Sequence, residues 1–289
     1  MLWLQLAITG LQVGALYALT AVGFSLIFGS TRIFHFAHGA TFVLAAYIYY
    51  FCVEQGYGNL VGILAAALAA IAFGVAMDRL VYAPIQRHEG SFFTVFVASF
   101  GIGIAVQNLV GMVFGRGYVT VTTPLSRSVE LMDGVYVSPL AWIAIASAFV
   151  CFIALQLFLK LTHVGMGLRA LADNPELIRI FGLSPRRIST YAFALGSLLV
   201  VPAAVITGAT TGLNPALGHH VMLISLAATI VGGIGSIPGA LITGFGLGLA
   251  ESLALLQFDS QWTEAVTFAI LFLFIILRPA GLFGRAMTS

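Results

Sequence analysis

Charge is what this chain has least of. Only 8 % of its 289 residues are charged, against roughly 25 % in soluble domains, and Lys160 is its single lysine. With 60 % apolar residues and a mean hydropathy of +1.06, a soluble globular domain is excluded, because its surface cannot be built from that much hydrocarbon. The shortage of lysine excludes nucleotide hydrolysis by this chain as well. The stretch GGIGSIPGA, from Gly232 to Ala240, has the glycine density of a phosphate loop but no lysine to hold a β- or γ-phosphate. Cysteine is equally rare: Cys52 and Cys151 both fall inside apolar runs, so no structural disulfide is expected. No polar stretch is long enough to make a separate soluble domain. The N-terminal MLWLQLAITG lacks a basic n-region and a small-residue cleavage site, so a retained membrane helix is expected there rather than a removable signal.

What is present is a series of long apolar runs. A helix needs about 20 apolar residues to cross the hydrocarbon, and on that ruler the candidates are 2–28, 37–53, 59–83, 91–114, 139–161, 188–209, a longer region 219–256, and 263–284. The expected fold is all-α: a polytopic membrane helix bundle of about eight transmembrane helices, forming one transmembrane domain over residues 1–289. In the first run, Gly10 and Gly14 have the small-xxx-small spacing that lets another helix approach closely. Region 219–256 carries Gly232, Gly233, Gly235, Pro238 and Gly239 midway, and reads either as two full helices or as a broken, re-entrant pair. The longest non-apolar segment on the opposite side from the basic loops is 116–138. Its alternating residues around Asp133-Gly134 predict a small hairpin.

Basic residues set the orientation. If 163–187 is cytoplasmic, alternation places Arg32, Arg79, Arg87, Lys160, Arg169, Arg179, Arg186, Arg187, Arg278 and Arg285 inside, leaving Arg116 and Arg127 outside. The N-terminus is then outside and the C-terminus in the cytoplasm, provided that 219–256 starts and finishes outside.

The stretch from His163 to Arg187, HVGMGLRALADNPELIRIFGLSPRR, holds six of the 22 formal charges. Asn174 suits a helix N-cap, Pro175 the first helical position and Glu176 the positive helix end. Leu177, Ile178 and Phe181 form an apolar edge, and Gly182 ends the helix. Two turns of helix are not stable alone. They dock either on this chain's own helices or, as the flanking Arg169, Arg179, Arg186 and Arg187 favour, in a groove on a separate subunit.

Polar groups inside the runs are few. Gln107 and Asn108 lie deep in the fourth, Glu251 near the outer end of 219–256, and Glu264 at the start of the last. Glu251 is the only candidate buried acid, too little for a proton or sodium relay. His35 and His38 make a His-x-x-His that lacks a third nearby metal ligand. Hydrogen bonds to helix ends at the cytoplasmic edge of the second span are the role expected of them.

Three stretches together resemble one family. LRALADNPELIRIFGLSPRRI is similar to the cytoplasmic loop of permease subunits in the branched-chain amino acid ABC transporter family. There an Arg-Ala (here Arg169-Ala170), an asparagine about four residues on (Asn174) and a terminal glycine (Gly182) mark the helix that contacts the ATPase. Phe28-Gly29 with FHFAHGA, Phe34 to Ala40, resembles that family's asparagine-phenylalanine-alanine-histidine-glycine signature, with His35 departing from it. VGGIGSIPGALITGFGLGLAES, Val231 to Ser252, resembles its late glycine-rich signature.

The resemblance, covering about Leu11 to Arg285, implies a bacterial inner-membrane importer subunit. Its partners would be a second permease chain, a different one in the family pattern, two ATPase subunits carrying ATP and Mg, and an extracytoplasmic solute-binding protein, with the lipid bilayer around it and no nucleic acid. It implies no cofactor, catalytic residue or metal in this chain. The implied path wall includes Phe34, Phe36, His38, Gly39 and the Gly232–Gly239 cluster. The solute would be a branched-chain amino acid, or else urea, a short amide or a small carboxylate or aromatic acid. A secondary transporter would need intramembrane carboxylates in a coordinating cluster, and an intramembrane enzyme a facing nucleophile and base. Neither pattern is legible here.

Overall fold

In hydrocarbon every backbone N–H and C=O needs an internal partner, and apolar runs meet that need as helices. The computed structural model describes residues 2–88, 90–132, 134–174, 178–179, 182–278 and 280–284. Its helices are α1 (Leu2–Thr31), α2 (His38–Glu54), α3 (Asn59–Arg87) and α4 (Phe92–Phe114). A hairpin of β1 (Val129–Met132) and β2 (Val135–Val137) follows. Then come α5 (Pro139–Leu161), α6 (His163–Asp173), α7 (Pro185–Thr210), α8 (Leu217–Gly232), α9 (Ile237–Ala254) and α10 (Thr263–Leu277). Among the described residues, seven helices are long and apolar enough to cross a membrane. The helices α2 and α8 are shorter, at 17 and 16 residues.

The 219–256 region is two antiparallel helices. Gly233 and Gly235 take left-handed backbone at φ +102° and +81°, and Ser236 caps α9 by accepting from the Gly239 N–H at 3.1 Å. The glycines therefore make a turn between helix ends and do not break one helix midway. At the other end of the chain, the run expected to 284 stops at Leu277. Arg278 precedes a proline and leaves the helix, as steric exclusion from the α region dictates. The N–H groups of Leu282 and Phe283 then cap the last carbonyls of α8, at Val231 and Gly232.

The tightest seam runs between α1 and α9. Gly10 faces Leu249 and Ser252, Gly14 faces Phe245, Ala18 faces Gly244, and Gly29 faces Gly235, so residue numbers rise along one helix as they fall along the other. Gly10-Gly14-Ala18 and Gly244-Gly248-Ser252 are both small residues at four-residue spacing. Backbone meets backbone there, and van der Waals packing replaces the hydrophobic drive that lipid does not supply. The helices α1 and α7 are the most buried of the long spans, while α3, α4, α5 and α10 lie at the rim.

Alternation of direction sorts the bundle into two ends. One carries the start of α1, the hairpin and the end of α7: the Gln5 side chain pairs with both backbone groups of Tyr136, at 2.9 and 2.8 Å. The hairpin itself has the predicted turn, with Gly134 at φ +75° and a register irregularity between Glu130 and Met132. The other end carries Arg32, α6, the start of α7 and the 233–236 turn, and every described basic residue except Arg116 and Arg127 belongs to it.

Candidate functional site

The charged segment is built more fully than its sequence spells out. Thr162 caps α6, its hydroxyl accepting from the Gly165 N–H at 2.9 Å. Gly165, Gly167, Leu168 and Leu171 are buried against the bundle, leaving Arg169 and Ala170 exposed. This amphipathic helix was not anticipated, although Leu168 and Leu171 at three-residue spacing were its signal. Arg32, itself at a left-handed φ of +58°, donates to the Ala172 carbonyl at 3.4 Å and so rests on the negative end of α6.

Asn174 is exposed with extended backbone. Gly182 ends the following turn as expected: at φ +75° its N–H reaches the Arg179 carbonyl, and the Leu183 N–H reaches that of Ile178, both at 3.1 Å. That pair of bonds is the Schellman closure. Arg179, Arg186 and Arg187 are exposed around it.

One expectation is corrected. Ile178 does not belong to a partner-facing edge: it is 1 % exposed and lies in the apolar core with Leu168, Leu171 and Ile188. Hydrocarbon of this chain covers it, so the short helix is anchored to its own bundle at that residue. Pro175, Glu176, Leu177 and Phe181 lie outside the described residues.

The connection 33–37 turns back into the bundle. His38 Nε2 lies 3.0 Å from the Thr20 carbonyl, eleven residues before the end of α1, or about 16 Å at the helical rise. His35 Nδ1 lies 2.7 Å from the Tyr82 hydroxyl, which donates to Ser99 Oγ at 2.9 Å. The same Ser99 oxygen accepts from the Ala37 N–H at 2.9 Å. Both histidines are fully buried. They therefore tie the start of α2 to α1, α3 and α4, and do not cap helix ends at the cytoplasmic edge as expected. Among the described residues no group of three potential metal ligands contains them.

Gly39 and Gly218, in the first turns of α2 and α8, meet here. A Cβ on Gly39 would strike the Gly218 carbonyl, and one on Gly218 would lie 2.8 Å from the Gly39 carbonyl.

Glu251 is not the only buried acid. Asp78 is 3 % exposed, in the π-helical stretch Met77–Tyr82 of α3, and accepts from Ser189 Oγ at 2.7 Å and Thr190 Oγ1 at 2.6 Å. It locks α3 to the start of α7, directly after the charged segment. Asp78→Ala is expected to lower stability by about 1.5–3 kcal/mol for each charge-assisted bond removed, with Asp78→Asn milder. Thermal unfolding of the detergent-purified chain reads this, and an unchanged midpoint for Asp78→Ala would show that the lock carries no weight. Glu251 is held differently. The Tyr17 hydroxyl donates to it at 2.7 Å and lies 3.0 Å from His220 Nε2, while His220 Nδ1 lies 3.0 Å from Glu264. Four helices, α1, α8, α9 and α10, meet through that network.

The residues expected on a path wall separate into two places. Phe34 and Phe36 are half-buried and begin an aromatic ladder. Ring centroids lie 5.3 Å apart for Phe34–Phe92, 4.6 Å for Phe36–Phe96, 5.8 Å for Phe96–Phe100 and 5.9 Å for Phe100–His219. His38 and Gly39 are buried behind it as packing. Gly232, Gly233, Gly235, Pro238 and Gly239 sit at the far end of α8, about 21 Å from Gly218 at the helical rise. Gly235 packs on Gly29, Gly233 on Phe283 and Gly284, and Gly232 on Gly239. The recurrence of Phe92, Phe96 and Phe100 at four-residue spacing was the sequence signal for the ladder.

At the hairpin end the ladder runs into a cleft of about 220 Å³ lined by Gln107, Asn108, Arg116, Asn214, Pro215 and His219, among others. Asn108 bonds within its own helix, to the Ile104 carbonyl at 2.9 Å.

A bundle of antiparallel, mostly apolar helices, with a half-buried aromatic face and an arginine-flanked amphipathic surface at one end, is the build of a polytopic membrane permease. The family described as the permease component of branched-chain amino acid transport systems matches residues 6–275, and the chain belongs to it. Similar proteins include the high-affinity branched-chain amino acid transport system permease protein BraD of Pseudomonas aeruginosa, 30 % identical over 98 % of this chain and 96 % of its own length. LivH of Escherichia coli, a permease protein of the same description, is 27 % identical over 98 % and 96 %. A probable LivH of Methanocaldococcus jannaschii is 24 % identical over 93 % and 89 %. The chain is thus a multi-pass transport subunit of a multi-subunit system.

Proposed function

We propose that this permease forms half of the translocation pathway of an ATP-driven importer for branched-chain amino acids, working with a second, different permease chain. Two ATPase subunits, which bring ATP and Mg, dock on the segment 163–187, and a solute-binding protein delivers cargo at the hairpin end. The hairpin end faces out and the arginine-rich end faces the cytoplasm, in keeping with the bias of basic residues toward the inner side. The observation that carries the reading is the surface around α6 and the Gly182 stop. It is an amphipathic platform with Arg169, Arg179, Arg186 and Arg187 exposed, rooted in the bundle by Ile178 and followed at once by α7 and its Asp78 lock.

Closure of the ATPases would pull on this platform and move α5 and α7, the helices joined to it. Such rigid-body motion repacks helix seams at hinge points. The glycine turn 233–236 and the connection 33–37 are the joints about which neighbouring helices would bend in that motion. Selectivity among apolar side chains is delegated to the solute-binding protein, since the aromatic ladder offers apolar contact alone.

Proteoliposomes containing the whole complex test the reading. Uptake of labelled leucine is expected to become strictly ATP-dependent and to be lost when the partner ATPases are mutated to block hydrolysis. Concentrative uptake that persists with the blocked ATPases would rule out an ATP-driven mechanism.

A further inference from the structure

We propose that the cleft formed by Gln107, Asn108, Arg116, Asn214 and His219 is a carboxylate-accepting site for a small, apolar-bodied organic acid or amino-acid zwitterion. The proposal rests on the importer reading, which makes this the end where solute enters.

The backbone holds Arg116 over the cleft. Gly115, at φ +85°, reverses the chain after α4, and the arginine stem passes beside Gly111, whose Cβ position lies 3.5 Å from Arg116 Cγ. The Arg116 carbonyl accepts from Asn214 Nδ2 at 3.0 Å, and Asn214 Oδ1 accepts from the Ala216 N–H at 2.8 Å, so the loop before α8 clamps the residue in place. The guanidinium itself makes one long contact, from Nη2 to Asn108 Oδ1 at 3.4 Å. Among the described residues it pairs with no carboxylate; the ion pair found there is His220–Glu264. A guanidinium fork without an acid partner matches a carboxylate in two parallel bonds.

Gln107 supplies the second, independent observation. It is 8 % exposed and lines the cleft, and with no hydrogen bond to it among the described residues its amide is left open to that space. The side chain lies against Gly218, where a Cβ would come within 2.5 Å of Nε2, so that glycine keeps the amide in the cleft. Unpaired donors on Gln107 and Arg116 thus converge on one space of about 220 Å³, below the range of drug-sized pockets and suited to a small solute. His219 closes one side and leads directly onto Phe100 and Phe96. A carboxylate held at Arg116 would leave its hydrocarbon body on the ladder.

Saturation-transfer NMR on the permease–ATPase complex in nanodiscs, without the solute-binding protein, tests this using L-leucine and L-leucinamide as probes. Leucine is expected to give a signal that falls at least tenfold in R116Q and partly recovers in R116K, whereas leucinamide gives none. No leucine signal in the unmodified complex, an equal signal in R116Q, or equal signals from leucine and leucinamide would each overturn the site. If Arg116 instead serves an acidic side chain of the solute-binding protein, R116Q will spare leucine and weaken that protein's stimulation of ATP hydrolysis, and the proposal falls. ATP-dependent uptake, measured separately, distinguishes the two readings. A complex that binds leucine through Arg116 but does not pump would remove the importer reading and leave the cleft.

Discussion

Gly248→Leu is expected to abolish recovery of folded permease from the membrane, while Gly246→Leu, two residues away on the same helix, is tolerated. The two glycines look alike in sequence. A Cβ at Gly248 would run into the backbone N and Cα of Gly14, and the carbonyl of Gly10 would stand 3.0 Å away; a Cβ at Gly246 meets nothing within 4 Å. Rigid backbone blocks the first position, so α1 and α9 have to part along a seam that also includes Gly10, Ala18 and Gly244. Overpacking of a tight core costs about 1–3 kcal/mol even where side chains yield, and here none stands in the way to yield. Separating the helices also forfeits the close contacts that hold membrane helices together. Gel filtration and thermal unfolding in detergent would measure the difference. Equal midpoints for the two variants would mean that the seam does not hold the bundle.

The second large effect separates docking from folding within one short segment. Replacing Leu177 and Phe181 together with aspartate is expected to release the ATPases from the complex while the permease stays inserted and folded. Ile178→Asp should do the reverse, lowering the yield of the permease itself, because Ile178 is 1 % exposed among Leu168, Leu171 and Ile188. An aspartate in that setting has no partner for its charge, and leaving a buried charge uncompensated costs about 3–5 kcal/mol. The ratio of co-purified ATPase to permease, together with the permease's own gel-filtration profile, reads both effects. ATPase recovery unchanged in the double variant would place the docking surface elsewhere.

Much of this architecture is legible without coordinates because its signals are local. A run of about 20 apolar residues forms a helix in lipid whatever surrounds it. Gly134 makes a turn and Gly182 a helix stop because the backbone needs left-handed φ at those glycines, +75° in both. The contrast between ten basic residues on one set of loops and two on the other is a count along the chain. The chain's membership of its permease family was likewise readable from three short stretches.

What stayed hidden is which face of each helix meets which neighbour. In a soluble bundle an apolar stripe announces the buried side. Here the lipid is as apolar as the core, so Leu249 and Leu253 carry no mark that tells inside from outside. For that reason Asp78 was passed over in the sequence, where Glu251 alone was named as a buried acid; Ser189 and Thr190, which hold Asp78, lie more than a hundred residues on. Ile178, His35 and His38 read as residues facing a partner or a helix end, and the tertiary structure turned all three into the chain's own core. The sequence by itself determined that this is a helical membrane permease with its basic residues gathered at one end. Only the tertiary structure decided that the glycine cluster is a turn, that Phe34 to His219 form one ladder, and that Gln107 and Arg116 share a cleft, because those depend on contacts between helices that no local signal encodes.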